Sequence, residues 1–347
     1  MSTYFEDILS QPQELQNFLC YYKTDEMLQR FRALGKLPIK KVIFSGMGSS
    51  HYCALTASLL LKRGGIDNEV ISAGELYYFQ RCTIREGVLL CLISQSGESG
   101  EIVKLIQELP DNVTVVGITN HPESTLGKRS DYLFPLFVSD EAAVTTRTYL
   151  ASCGVTLLLA AALQGQCVEK KVEELQDIFT RMDAYLSTAP ELTARWDEFM
   201  QPMGSVSVIG RGFSMPSVEA GALFFRETVR FPALDFDGAE FRHGPMEMVD
   251  ENFYGVVFAP SGAAYEQSIK LAKDIAAKGG HVLMVTDREE ESGATENLLP
   301  VILPQIPEEY LMFFQILPLQ LLANAAAARR GIEAGQFRWG SKITKEG

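Results

Sequence analysis

Along most of this chain, short unbroken aliphatic runs alternate with stretches whose apolar residues recur at helical spacing. The first run, residues 41–45, is followed by others near Val70 and at residues 88–93, 113–118 and 132–137. A helical pattern follows the first run as far as Leu61, another covers residues 101–106, and a third residues 145–163. Continuous Val/Ile/Leu runs separated by helices predict a parallel sheet covered on both faces, an α/β fold of three layers. Ahead of it, residues 6–34 read as amphipathic helical segments closed by Gly35.

The pattern then repeats. Residues 206–209 open a second alternation, and Gly210-Arg211-Gly212-Phe213-Ser214 with a helix through Arg226 matches the stretch from Ile43 to Ser50. Residues 256–259, the turn Pro260-Ser261-Gly262 and a helix ending at Lys278 mirror residues 88–106, and residues 281–287 mirror residues 115–120. The chain is therefore read as an internal duplication. Its expected parts are an N-terminal helical segment (1–34), a first α/β domain (35–166), linking helices (167–197), a second α/β domain (198–330) and a C-terminal tail (331–347).

The two copies differ in the loop after their third strand. In the first, Ser94-Gln95-Ser96-Gly97-Glu98-Ser99-Gly100 places hydroxyls, an amide and glycines where the free N–H groups of a new helix point outward. Such a loop suits phosphate or another small anion, although a single capping serine would also explain part of it. No Lys or Arg lies within it, so binding there would rest on hydroxyls, amides and the helix dipole. The second copy has Ala259-Pro260-Ser261-Gly262-Ala263-Ala264 instead, and one anion loop per chain is expected. Ionisable groups gather in the second copy, at Glu219, Arg226 and Glu227 and in Gly238-Ala239-Glu240-Phe241-Arg242-His243-Gly244-Pro245, so the reactive groups are expected there.

Composition narrows the classes. With 347 residues the chain has room for two cores, and 46% hydrophobic with 22% charged residues places it among soluble globular proteins. A net charge of -13 argues against nucleic acid or an anionic membrane as partner, and obliges a phosphorylated ligand to find a local positive field. Cys20, Cys53, Cys82, Cys91, Cys153 and Cys167 form no C-x-x-C pair and read as reduced, mostly buried thiols, which points to the cytoplasm. Residues 1–7 lack the pattern of a signal peptide. Residues 150–163 are too short to span a bilayer, and residues 311–328 contain Gln315, Pro318, Gln320 and Asn324, so both read as buried core helices.

Gly46-x-Gly48-x-x-His51 and Gly210-x-Gly212-x-x-Met215 each lack the third glycine of a dinucleotide fingerprint. No two of the four histidines have the spacing of a metal pair, and neither a metal nor another cofactor is expected. His281 reads as structural and His121 as a loop residue, while His51 could face either the anion or solvent. Only His243 stands in a dense polar motif.

Taken together, Gly48-Ser49-Ser50, the loop at residues 94–99, Gly210-Arg211-Gly212 with Glu219-Ala220-Gly221-Ala222-Leu223, and the motif at residues 238–245 resemble the double sugar isomerase (SIS) domain family. That family includes the isomerase half of glutamine–fructose-6-phosphate aminotransferase, glucosamine-6-phosphate deaminases and fructosamine-6-phosphate deglycases. The resemblance implies two tandem SIS domains and a phosphosugar substrate, held at the phosphate by Ser50, Ser94, Gln95, Ser96 and Ser99 and at the sugar by Gly48, Ser49, Glu141, Thr146 and Glu240. It implies Glu227 as the base that moves a proton between C1 and C2, His243 as the group at the ring oxygen, given to a neighbouring subunit's site, and Lys342 in the tail as a group closing over the open sugar. A homodimer or higher homo-oligomer with shared sites follows from the same likeness.

The chemistry is consistent with those residue types. One carboxylate can take a proton from one carbon and return it to the next, and a neighbouring His titrates in the right range for the ring oxygen. Burial against Phe224 and Phe225 would raise the Glu227 pKa toward neutrality. There is neither a glutaminase domain nor an N-terminal nucleophilic cysteine in the chain, and Phe224 stands where synthases and deaminases of the family carry lysine. The stretch Glu240–Asp250 is most similar to the deglycases. The expected activity is thus release of glucose 6-phosphate and a free amine from a fructosamine 6-phosphate, with deamination of glucosamine 6-phosphate and non-catalytic phosphosugar sensing as the alternatives.

Overall fold

Ten strands form two five-stranded sheets in the computed structural model, which describes residues 3–141, 144–289 and 293–339. The first sheet holds β1 (Lys41–Gly46), β2 (Asn68–Ser72), β3 (Val88–Ile93), β4 (Thr114–Thr119) and β5 (Tyr132–Pro135), in the order β2-β1-β3-β4-β5. The second holds β6 (Val206–Gly210), β7 (Ala233–Asp237), β8 (Tyr254–Phe258), β9 (His281–Thr286) and β10 (Leu298–Ile302), in the order β10-β9-β8-β6-β7. Every neighbouring pair is parallel. Counted from its first strand, each sheet has the same topology, so the duplication read in the sequence is present strand for strand.

The chain divides into two units, one centred on Ser10–Thr180 and the other on Arg181–Gln336 with the residues up to Leu9. In the first unit β3 is buried at all positions, as its uniformly apolar sequence requires, and its Leu90 and Leu92 share a core with Ile43, Ile102 and Leu105. The second has the same plan, with Ile209, Val257, Ile269, Val282 and Met284 in its core. The two most apolar stretches, the helices Arg147–Leu163 and Leu311–Arg329, are the same element of the two copies and are buried nearly throughout. Leu311–Arg329 is long and apolar enough to cross a membrane, but it is the packed centre of its unit. Gly221 lets the helix Met215–Thr228 approach it, because a Cβ there would run into Leu319.

Three features depart from expectation. The helical pattern after β1 splits into Ser49–Tyr52 and Leu55–Arg63, whereas the linking segment, read as one or two helices, is the single helix Val168–Phe199. β7 and β10 escape the aliphatic signal because they are edge strands: Leu234 and Asp235 are exposed, and Pro300 sits where an edge needs no further donor. Burial of the cysteines holds for Cys53, Cys91 and Cys153, whereas Cys20, Cys82 and Cys167 are exposed on helix ends and turns.

Candidate functional site

In a sheet of this order the chain turns to one side after the first strand and returns on the other with the third. A crevice therefore opens at the C-terminal ends of those two strands, where open parallel sheets bind ligands. In the first unit the loops there are residues 46–50, after β1, and 94–99, after β3. They meet at Gly46, where a Cβ would lie 2.7 Å from the Ser50 carbonyl oxygen and 2.8 Å from that of Ile93. Gly48, at φ +54°, starts the Ser49–Tyr52 turn, which leaves Ser49 and Ser50 half-buried.

The second of these loops is stitched to β4. Ser94 N–H donates to the Ile118 carbonyl at 3.0 Å, and the Gln95 carbonyl accepts from Asn120 N–H at 2.9 Å and the Thr119 hydroxyl at 3.1 Å. Gly97 turns it at φ +65°, against Ser124. Ser94 Oγ accepts from Gly97 N–H at 3.1 Å and lies 2.9 Å from Ser99 Oγ, while Ser96 Oγ accepts from Glu98 N–H at 3.2 Å. Ser99 occupies the cap position of the helix Gly100–Gln107 without capping it, unlike Ser72 and Ser124, whose hydroxyls accept from the first turns of their helices. The Glu98 carboxylate is turned away and held by Thr125, from N–H at 2.6 Å and from the hydroxyl at 2.9 Å. Hydroxyls grouped in this way, with the acidic side chain withdrawn, suit an anion.

Around the loop, the Gln95 amide nitrogen lies 3.3 Å from His121 Nε2 and donates to Asp140 Oδ1 at 3.5 Å. His121 and Asp140 were not among the residues the sequence singled out as ligands. Glu141, expected at the sugar, is buried and accepts from the N–H groups of Thr146 and Thr148, both at 2.8 Å, and from their hydroxyls at 3.3 and 2.7 Å. It thereby anchors the start of the helix Arg147–Leu163, where a negative charge is favourable. Half-buried His51 has its pKa lowered by burial, and it presents its ring edge-on to Tyr52.

In the second unit the equivalent loop is filled from within. Asp287 Oδ1 accepts from Ser261 N–H at 2.7 Å and from the Ser261 hydroxyl at 3.0 Å. Asp287 stands where the first copy has Asn120, as Ala259 N–H to the Val285 carbonyl repeats Ser94 N–H to Ile118.

The helix Met215–Thr228 of this unit is buried except at Arg226 and along one ridge, Met215, Glu219, Leu223 and Glu227. Both carboxyls of that ridge are pushed up to about 7, Glu227 by burial against the pull of Arg226, Glu219 by burial and the nearby charge of Asp235. Arg226 is occupied by the Ala233 carbonyl and Asp235, each at 3.1 Å. Phe224 and Phe225 are fully buried.

The motif at residues 238–245 is mostly scaffold. Asp237 Oδ1 accepts from Ala239 N–H at 2.6 Å and Glu240 N–H at 3.2 Å, starting the turn Glu240–Arg242. Phe241 is buried against Phe236 and Phe253, and Arg242 reaches Asp274 at 2.8 Å. Gly244, at φ +125°, redirects the chain, and His243 and Glu240 are left exposed. Lys342 lies outside the described residues. Among those described, no group of three or more His, Cys, Asp or Glu is placed to hold a metal.

Comparison with known proteins accounts for this plan. Glutamine–fructose-6-phosphate aminotransferase (isomerizing) from Brucella abortus is 23% identical over 348 residues, which cover 96% of this chain and 57% of that protein. The chain thus spans little more than half the length of this curated relative. The C-terminal domain of glucosamine-fructose-6-phosphate aminotransferase from Francisella tularensis shares the fold at a TM-score of 0.86 and 23% identity, covering 97% of this chain and 98% of that one. Glucosamine-6-phosphate deaminase from Thermotoga maritima does so at 0.75 and 22%, covering 99% of each. The SIS domain model matches twice, at residues 38–162 and 200–330, one match on each sheet. The chain therefore belongs to the SIS domain family, with two SIS domains in tandem.

Proposed function

We propose that the chain is an enzyme of aldose–ketose isomerase type acting on a 6-phosphorylated amino-sugar derivative, and specifically a fructosamine 6-phosphate deglycase. The observation that carries this reading is Glu227, a half-buried carboxyl pushed up to about 7 on the partly exposed ridge of a helix that is buried elsewhere except at Arg226. A base tuned to neutrality can both take and return a proton. The loop at residues 94–99 holds the phosphate through its hydroxyls and backbone N–H groups. His243, exposed in its own chain, opens the sugar ring in the site of a second copy, which makes the working form a homodimer or larger homo-oligomer.

In this reading Glu227 removes a proton from C1 of the open-chain substrate as O2 takes up a proton, giving an enaminol, and delivers it to C2 as the amine nitrogen gives up its own, so that protons balance. The resulting C1 imine adds water and breaks its C–N bond, releasing glucose 6-phosphate and the free amine. Phe224, fully buried where synthases and deaminases of the family carry lysine, favours this over the amination chemistry named for the relatives.

A coupled assay for glucose 6-phosphate from fructoselysine 6-phosphate, on wild type and Glu227→Gln, tests the proposal. Product lost in the variant supports it. Ammonia from glucosamine 6-phosphate, with no product from the first substrate, would replace it with a deaminase. No product from either, with glucose 6-phosphate still raising the melting temperature, would make the chain a phosphosugar binder.

A further inference from the structure

Resting on Glu227 as the base, we propose that Arg230 is a positioning residue for the reaction, holding the last turn of the helix Met215–Thr228 against the C-terminal segment at residues 330–336 so that the Glu227 carboxyl keeps its place. Arg230 lies one residue past the cap of that helix, at φ +59°. Phe137 is the one other non-glycine residue with positive φ among those described. Side chains disfavour this left-handed region, and a helix that ends in it normally uses glycine. The chain does so elsewhere. The same place carries Gly65, at φ +75°, after Leu55–Arg63, the matching helix of the first copy, and Gly331, at φ +66°, after Leu311–Arg329. An arginine held in that conformation where glycine would serve directs attention to its side chain.

That side chain has a defined partner. The Arg230 guanidinium donates to the Gln336 carbonyl, in a segment that is itself docked, with Ala334 buried and Gln336 Nε2 donating to Glu333 Oε2 at 2.7 Å. The segment holds the same turn a second time, since Arg330 lies over the Phe231 ring, 5.7 Å from its centre, and Phe231 stacks on Phe225 at 5.8 Å. The Phe225 carbonyl accepts from both Val229 N–H at 3.0 Å and Arg230 N–H at 3.2 Å. Glu227 sits within the turn that these bonds close. Its own carboxyl makes no hydrogen bond among the described residues, so its place is set by its backbone. Arg230 closes that backbone with its N–H and ties it to the C-terminal segment with its guanidinium.

The test is turnover of fructoselysine 6-phosphate, followed as glucose 6-phosphate, together with hydrogen exchange by mass spectrometry, on wild type, Arg230→Gly, Arg230→Lys and Glu227→Gln. Arg230→Gly relieves the backbone and removes the guanidinium, so its melting temperature should equal or exceed that of wild type. Its kcat should fall by about ten-fold at unchanged KM, as when a reacting group is displaced but not removed, with faster exchange confined to residues 224–231. Arg230→Lys keeps a cationic donor on the same backbone and should recover most of the loss. Turnover lost in Glu227→Gln but unchanged in Arg230→Gly would overturn the role of Arg230 and keep the base. A loss that Arg230→Lys does not recover would also overturn it, as would a lowered melting temperature with exchange accelerated throughout the second unit. Wild type without turnover, or matched by Glu227→Gln, would overturn the base and this role together.

Discussion

Asp287 holds Ser261 by two hydrogen bonds to a single carboxylate oxygen, 2.7 Å from the backbone nitrogen and 3.0 Å from the hydroxyl. Asp287→Asn keeps the shape and removes the charge, and it should lower the free energy of unfolding by about 1–2 kcal/mol, since hydrogen bonds to a charged group exceed neutral ones. Urea denaturation measures this. An unchanged midpoint would mean that the pairing does not hold the loop.

Glu227 must be ionised to accept a proton, and its carboxyl is pushed up to about 7 by burial. The expected kcat/KM therefore climbs by about tenfold per pH unit on the acid side and levels off above the pKa of the base. Glu227→Gln should reduce kcat by about 10² to 10⁴ while leaving glucose 6-phosphate binding in place. A profile flat across that range would exclude this carboxyl as the base.

Stability should run the other way. Glu219 and Glu227 bind protons more tightly when folded, with values near 7 against the usual 4.5. Their favourable contribution is complete below the unfolded value and lost as pH rises through the folded one. After discount for partial exposure, the fall between about pH 5 and about pH 8 is of order 1–3 kcal/mol. Melting curves of Glu219→Gln/Glu227→Gln should be flatter with pH than those of wild type.

Two glycines in the first unit should respond oppositely to alanine. Gly97 lies at φ +65°, and an added Cβ would overlap the Ser124 hydroxyl and sit 2.6 Å from Ser124 Cβ, so Gly97→Ala should cost about 2–3 kcal/mol and disable anion binding. Gly74, in the helix Ala73–Tyr78, has nothing within 4 Å of that atom. Gly74→Ala should be neutral or stabilising by up to about 1 kcal/mol, as helix propensity dictates. Thermal unfolding of the pair checks both.

Glu141→Ala would strand the donors of Thr146 and Thr148 at a buried helix start, and a loss of about 3 kcal/mol is expected. Glu141→Gln should recover part of it. Comparing KM with melting temperature across the two variants separates a sugar contact from an anchor.

Much of this architecture was legible because buried parallel strands must be apolar throughout. β3 and β4 could be read for that reason, and β7 and β10 could not, since an edge strand tolerates Asp235, Asp237 and Pro300. The loop at residues 94–99 was visible as a density of hydroxyls. What the hydroxyls do was not, because Ser72, Ser99 and Ser124 all precede helices and only the structure separates the two caps from Ser99. His121 and Asp140 were missed since their meeting at Gln95 depends on two separate loops. A signal did exist: the change from Asn120 to Asp287 between the copies marks which loop is filled. In the motif at residues 238–245, Phe241, Arg242 and Gly244 serve the fold, as Asp237 does just ahead of it, and His243 is left exposed.

Gly46 brings the ends of β1 and β3 into backbone contact, with no space for even a methyl group between the loops. Residues 46–50 and 94–99 therefore leave strand ends that are already packed against each other. The conformational entropy of arranging both is lost when the unit folds, not when the ligand binds. An anion that binds at this loop should therefore associate fast, with little structural relaxation of these two segments.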